Sequence, residues 1–299
     1  MIWRLNYEAH EHFIAPARQS AALWRFVLGF SLAAIGYIAL NQMFFQMVYS
    51  AIGTRSADLY NQLLTGSTPL AMFLLLFSFV FMTTAIGVAV RVVHRRPFFS
   101  LLGDLRLGVR QFVAVSAMML GLMLIVFVLP PWDMGGEFVP NLDMSRWLML
   151  LPLSLFAVFI QVSAEEVVFR GYVQQQLAAR FRSPLVWMVL PSVVFAVGHY
   201  LPDTAGENAL IIAAWAGIFG ILMADLTARA GSLGPAIAVH LWNNVSAILI
   251  VSMPENLSGL ALYLAPFSMG DNDAMRAWLP VDFALMFVSW LAARLAIRR

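Results

Sequence analysis

The sequence has no cysteine and no lysine, and only 11% of its 299 residues are charged. The absence of cysteine excludes disulfide bonds, thiolate metal sites and a cysteine nucleophile. A soluble domain carries about 25% charged residues and is about half apolar, whereas 61% of this chain is hydrophobic and its mean hydropathy is +0.80. A water-soluble fold of this size cannot bury so much apolar surface, so the composition predicts an integral membrane protein and excludes a cytosolic enzyme.

Eight apolar runs are candidates for membrane crossings. A helix needs about 20 residues to cross a hydrocarbon core of about 30 Å, and most of the runs reach that length. The sequence therefore predicts an all-α integral membrane protein, a bundle of about eight transmembrane helices, with seven or nine as the alternatives. The runs are 23–50, 69–92, 108–130, 147–175, 184–201, 209–228, 235–253 and 281–297.

The positions of the arginines predict the orientation of the bundle. Basic residues favour cytoplasmic segments, and eight spans with both termini cytoplasmic would put 14 of the 18 arginines on the cytoplasmic side. An odd number of spans would mix the two sides. The 14 are Arg4, Arg18, Arg25, Arg91, Arg95, Arg96, Arg106, Arg110, Arg180, Arg182, Arg229, Arg294, Arg298 and Arg299, whereas Arg55, Arg146 and Arg276 fall on the other side and Arg170 within a span.

Two adjacent glutamates lie within the fourth predicted span. An ionisable side chain inside a membrane costs about 2.5–3.5 kcal/mol on insertion scales, so Glu165 and Glu166 need a partner or a role. Arg170 follows Glu166 by four residues, so the two can pair on one helix face. Glu165 points about 100° away and is expected to lack a local partner, which makes it a candidate general base. The alternative, a structural Glu–Arg pair at a helix end, leaves Glu165 unexplained.

Two histidines and an asparagine lie in later spans. His199 is near the end of the fifth span, and His240 and Asn244 are one helical turn apart in the seventh. Taken alone, each could be a packed core residue or a helix-packing hydrogen bond. Together with a carboxylate on a third helix, they are the groups needed to activate water and to stabilise an oxyanion. The sequence thus predicts a site in a cavity among the fourth to seventh spans.

These residues, in this order and each in an apolar span, resemble the three motifs of a known family, the CPBP intramembrane proteases. That family includes the CAAX prenyl protease type 2 enzymes and the bacterial Abi, or bacteriocin-processing, proteins. The resemblance covers roughly residues 145–253. It rests on three motifs, Glu165-Glu166-x-x-x-Arg170, Phe195-x-x-x-His199 and His240-x-x-x-Asn244.

The resemblance implies an intramembrane endopeptidase that acts on membrane-associated or processed substrates. By this resemblance, Glu165 and His199 would activate water, whereas His240 and Asn244 would hold the oxyanion. The supporting positions of the family's first motif match Glu166 and Arg170.

We also expect three regions along the chain. Residues 1–144 would form an N-terminal membrane region with a short interfacial helix and three spans, and residues 145–253 the protease core. Residues 254–299 would form an outer loop and the last span.

Other functions stay open at this point. No cofactor is required in the preferred interpretation, but Glu165, His199 and His240 are also a plausible zinc set, although the HExxH motif is absent. The chain could also be a non-catalytic immunity or scaffold protein. A transporter with an ionisable relay is disfavoured because the first three spans hold no comparable polar residues.

The expected partners are the lipid bilayer and a peptide or protein substrate in or at the membrane. Nucleic acid is not expected, since the basic residues form no patch of the size of DNA. The resemblance to Abi proteins favours a bacterial inner membrane.

The depth of the predicted site residues is a geometric test of the hypothesis. Counted inward from Arg180 and Arg182 at about 1.5 Å per residue, Glu165 and His199 would each lie at about 20–25 Å, so the two could meet. His240 follows Gly234 by only six residues, so we expect it to lie shallower unless the loop before it re-enters the bilayer.

Overall fold

In a computed structural model, residues 7–53, 56–129, 135–254 and 256–298 are described, and they form a bundle of α-helices. The predicted all-α membrane bundle is thus confirmed. Arg4, Arg55 and Arg299, which entered the topology prediction, lie outside the described residues. The helices of the described residues are α1 (Glu8–Arg18), α2 (Leu23–Ile52), α3 (Ser56–Thr65), α4 (Pro69–His94), α5 (Leu105–Val128), α6 (Met144–Arg180), α7 (Leu185–Gly198), α8 (Pro202–Ala230), α9 (Gly234–Ile250) and α10 (Asn272–Ala296).

Six helices of the described residues are long and apolar enough to cross a membrane, namely α2, α4, α5, α6, α8 and α10. Helices α7 and α9 are apolar but shorter. The count of eight crossings, the orientation and the division into three regions therefore stay predictions.

Aspartates before three of the spans explain where the helices begin. The Asp104 side chain accepts a hydrogen bond from the amide of Leu107 at 2.7 Å at the start of α5. Asp143 and Asp271 do the same before α6 and α10. Each caps an amide that has no partner within its own helix. Asp143 is exposed, and hydrogen bonds from the Ser145 hydroxyl and from the amides of Arg146 and Ser145 lower the pKa of its carboxyl group.

Helices α6, α8 and α9 form the centre of the bundle. Helix α8 packs on α7, α9 and α10, while α9 lies between α5 and α6. A cluster of buried apolar side chains, including Phe219, Met223 and Val239, fills the contacts of α8 with α9. In lipid, helices associate through such close packing and through polar contacts rather than through loss of water. Polar side chains of α6, α8 and α9 are therefore surrounded by close packing at the centre of the bundle.

Helix α1 packs at one end of the bundle against α6 and α8. The hydroxyl of Tyr7 donates to Asp225 at 2.7 Å, and Asp225 pairs with Arg229 at 2.8 Å. The indole of Trp290 on α10 donates to the same carboxylate at 3.0 Å. Burial, together with the charge of Asp225, raises the pKa of Tyr7, so this phenol stays a neutral donor. These contacts hold α1 and the ends of α8 and α10 on the same side.

In the described residues, three two-residue strands lie at the opposite end of the bundle. Strand β1 (Val139–Pro140) pairs antiparallel with β3 (Tyr263–Leu264), and β2 (Val251–Ser252) pairs parallel with β3 on its other side. The Asn141 amide donates to the carbonyl oxygens of Ser258 and Ala261 at 2.9 and 2.8 Å. The segment between α9 and α10 is therefore tied to the chain before α6.

Candidate active site

Helix α6 changes its hydrogen-bonding pattern directly after the two glutamates. It is α-helical to Glu166 and then runs as a π-helix over Val167–Gln174 before it returns to an α-helix. Insertions of π-helical turns are uncommon and often lie at functional sites. Arg170 lies inside the π-helical stretch.

The Glu166 carboxylate is the buried centre of the cluster, and its side chain is 0% exposed. Arg170 Nη1 donates to Glu166 Oε1 at 2.8 Å, and Arg170 Nη2 donates to the carbonyl oxygen of Gly220 on α8 at 3.1 Å. His240 Nδ1 lies 2.8 Å from the same Glu166 oxygen. Because a carboxylate only accepts, the proton of this bond belongs to Nδ1. The expected contact between Glu166 and Arg170 is present, and His240 donates to the same carboxylate oxygen.

Glu165 has partners among the described residues, so the expectation that it lacks a local partner was wrong. Gln161 Nε2 donates to Glu165 Oε1 at 2.7 Å. The other carboxylate oxygen, Oε2, lies 3.6 Å from His240 Nε2. The reason is helix geometry, because residues four apart face each other on α6 and the packing of α9 adds the imidazole. The Glu165 side chain remains 13% exposed.

Asn244 lies on α9 one turn after His240 and is joined to the same cluster. Its Nδ2 donates to Gln161 Oε1 at 3.0 Å, and its Oδ1 accepts from Asn243 Nδ2 at 3.2 Å. Gln161 therefore connects Glu165 to Asn244. The sequence analysis missed Gln161, although a buried polar residue four positions before a glutamate was a usable signal.

His199 directly follows Gly198, the last residue of α7, and is only partly buried. Its Nδ1 lies 2.9 Å from the carbonyl oxygen of Phe195. Since a carbonyl only accepts, Nδ1 carries a proton and Nε2 of the neutral ring is an acceptor. In the described part of the chain, no hydrogen bond or ion pair joins His199 to Glu165.

The ring of Phe195 provides the connection between His199 and the other residues. Its centroid lies 4.4 Å from that of His199 and 6.3 Å from that of His240. The Arg170 guanidinium lies 5.2 Å from the ring centre, close enough for a cation–π contact. Phe195 thus links the second motif to the other two by packing and supports His199 through its carbonyl.

His240 lies beside Glu165 and Glu166 and not shallower, because the loop before α9 is buried in the bundle, which is the exception that the expectation allowed. A methyl group on Gly171 would lie 2.9 Å from the carbonyl oxygen of Leu101 and 3.3 Å from the Leu233 side chain. Leu233, in the loop before α9, therefore lies beside Gly171, nine residues before the end of α6. Glu166 lies five residues before Gly171 on α6, and His240 lies seven residues after Leu233 on α9. The two side chains are therefore at the same height in the bundle and meet.

The residues named for a zinc site do not form one. Within the four described stretches, no group of three His, Cys, Asp or Glu side chains could hold a metal ion. Glu165 and His240 are neighbours, but the described ring contacts of His199 are with Phe195. The donor set therefore does not fit zinc as arranged.

Comparison with known sequences supports the interpretation of the motifs. Residues 146–246 match the family model described as Rce1-like, type II CAAX prenyl endopeptidase Rce1-like. The matched segment contains the three motifs and Gln161. It confirms the resemblance to the CAAX prenyl protease type 2 enzymes. The chain is thus a helical integral membrane protein in which residues 146–246 are similar to the Rce1-like family.

The chain is also similar to a relative over nearly its full length. The protein named "Uncharacterized protein YyaK" of Bacillus subtilis (strain 168) is 27% identical over 287 residues, which cover 92% of this chain and 93% of that protein. No solved structure matches the chain.

Proposed function

We propose that this protein is an intramembrane endopeptidase that hydrolyses a peptide bond of a substrate in or at the membrane. The observation that carries the proposal is the arrangement of Glu165, Glu166 and His240, in which one imidazole lies between two carboxylates of α6. The Rce1-like match covers the same residues. A type II CAAX prenyl endopeptidase activity, on a prenylated peptide, is the first substrate class to test.

In this proposal, Glu165 is the general base. Its partly exposed carboxylate takes a proton from a water molecule, and the water oxygen attacks the carbonyl carbon of the peptide bond. The carbonyl electrons move to oxygen and form an oxyanion. When the C–N bond breaks, the proton passes to the leaving amine, so the products are a carboxylic acid and an amine. The Nε2 acceptor of His199 would assist the removal of the water proton.

His240 and Asn244 would stabilise the oxyanion. A donor aimed at the developing negative charge is worth about 10²–10³-fold in rate in comparable sites. For His240 to donate from Nε2, the ring must carry both of its protons, since Nδ1 already donates to Glu166. Glu165, Glu166 and Arg170 sum to one negative charge, so a protonated ring makes the cluster neutral. Neutrality matters because an uncompensated charge is costly in a buried site.

The remaining features of the proposal follow from the sequence. The chain would lie in a bacterial inner membrane with both termini in the cytoplasm, and it would contact lipid and a peptide or protein substrate. No cofactor takes part in the proposed steps. A zinc-dependent protease and a non-catalytic immunity or scaffold protein are the alternatives that the experiment must separate.

The test is cleavage of a library of membrane-associated peptides, with and without a prenyl group, by detergent-purified protein. Products are identified by mass spectrometry, with and without a chelator. We expect products from the wild type, with or without the chelator, and none from Glu165→Ala. Loss on chelation and recovery with zinc would establish a metalloprotease instead. Absence of any product, together with a cellular phenotype that survives Glu165→Ala, would overturn the proposal in favour of a scaffold.

A further inference from the structure

Among the described residues, Gln161 is the one side chain that forms hydrogen bonds with both Glu165, the proposed base, and Asn244, one of the two proposed oxyanion donors. It lies one turn before Glu165 on α6 and is 7% exposed. Its amide nitrogen donates to Glu165 at 2.7 Å, and its amide oxygen accepts from Asn244 at 3.0 Å. None of the three motifs contains this residue.

The chemistry of the neighbours fixes the direction of these bonds. A glutamate carboxylate only accepts hydrogen bonds, so Gln161 must face it with the NH₂ group. The Gln161 oxygen then faces Asn244, and only the Asn244 NH₂ group can satisfy it. The Asn244 oxygen is consequently turned to Asn243, whose NH₂ group lies 3.2 Å away. Each amide orientation follows from the one before it, starting at Glu165.

This chain of bonds matters because Asn244 can stabilise an oxyanion only through its NH₂ group. One N–H of that group is used by Gln161, and the second remains to donate elsewhere. If the Asn244 amide turned over, its oxygen would face the developing negative charge and would oppose the reaction. The same glutamine also holds one oxygen of Glu165 and leaves the other directed at His240.

We propose that Gln161 is a positioning residue, which sets the amide orientation of Asn244 and the carboxylate orientation of Glu165 for hydrolysis. This inference rests on the proposed function. Glutamine suits the position because one planar amide offers a donor and an acceptor at the required reach. A glutamate would bring a second carboxylate against Glu165, and an apolar residue would hold neither partner.

The alternative is a purely structural role, in which Gln161 only joins α6 to α9. A matched control exists in the same helix, because Gln174 is 0% exposed and its Nε2 donates to the carbonyl oxygen of Ala224 on α8 at 3.1 Å. Gln161→Met and Gln174→Met each remove a buried amide that joins two helices. Only the first touches residues of the proposed site.

The experiment measures kcat, KM and thermal stability of both variants on a peptide that the wild type cleaves. We expect Gln161→Met to lower kcat by about 10²-fold, the loss associated with a misplaced catalytic group, with KM changed by less than about threefold. Gln174→Met should leave kcat near the wild-type value. Gln161→Glu, which keeps the shape of the side chain, should also lose kcat and serves if the methionine variant does not fold.

A double-variant comparison separates positioning from general weakening. If Gln161 acts partly through Asn244, adding Gln161→Met to Asn244→Ala should cost a clearly smaller factor than it costs in the wild type. Equal factors in the two backgrounds, an unchanged kcat, or an equal loss in Gln174→Met would overturn the inference while the proposed function stands. A wild type without Glu165-dependent cleavage would overturn the proposed function and this inference with it.

Discussion

Replacing Arg170 by methionine should destabilise the protein more than any surface change. Arg170 is 2% exposed and pairs with Glu166, which is 0% exposed, at 2.8 Å. Removal of one partner of a buried pair leaves an uncompensated charge and typically costs about 3–5 kcal/mol. The lost bond to the Gly220 carbonyl oxygen acts in the same direction. We therefore expect a loss of about 3–5 kcal/mol in the free energy of unfolding.

The assay is unfolding in mixed micelles by titration with a denaturing detergent. The control is Arg276→Met, because the pair of Arg276 with Glu207 is 57% and 74% exposed and such pairs contribute about 0–1 kcal/mol. The double variant Glu166→Gln/Arg170→Met removes the buried charge but keeps an acceptor for His240. It should be more stable than Arg170→Met alone.

Two results would refute this reasoning. One is an Arg170→Met variant within about 1 kcal/mol of the wild type, the range of an exposed pair. The other is a double variant no more stable than the single one, since this would mean that the buried charge of Glu166 is not the source of the loss.

Two further predictions concern α1 and the loop before α9. Burial lowers the pKa of His10 from its ordinary value of about 6.5 to about 4. Between these two pH values the unfolded chain binds a proton that the folded chain does not. The free energy of unfolding should therefore fall as the pH is lowered through this range, by up to about 1.4 kcal/mol per pH unit. His10→Phe should remove this dependence, and a difference in unfolding free energy between the two proteins that stays constant from pH 7 to pH 4 would contradict it. Gly234→Ala would put a methyl group 2.1 Å from the carbonyl oxygen of Gly108, so α9 must shift with His240, and we expect kcat to fall by about 10²-fold. Gly121→Ala on α5 is the control, because there the added methyl group would meet no other described part of the protein within 4 Å. Equal activity of the two alanine variants would contradict the role of this close packing.

The parts of the account that the sequence could predict are those set by local chemistry. Long apolar runs predict spans because lipid requires backbone hydrogen bonds to be satisfied within the helix. The contact between Glu166 and Arg170 follows from their spacing of four residues on one helix. Each of these inferences depends only on residues near to each other in the chain.

The partners of Glu165 could not be predicted from local sequence patterns. The position of His240 depends on the chain around Leu101 and Leu233, which packs against Gly171 and brings α9 level with the glutamates. No local pattern contains that contact between distant segments. Gln161 was missed for a different reason, because a single neutral amide in an apolar run has a low insertion cost and does not stand out beside two glutamates.

The most direct test of the central claim is the single-turnover rate of Glu165→Gln on a peptide that the wild type cleaves. The substitution keeps the shape of the side chain but removes the base, whose contribution is typically about 10²–10⁴-fold. Glu207→Gln, which changes an exposed carboxylate, is the matched control. We predict a loss of at least about 10²-fold for Glu165→Gln and none for the control. A Glu165→Gln variant that cleaves at the wild-type rate would contradict the assignment of Glu165 as the base.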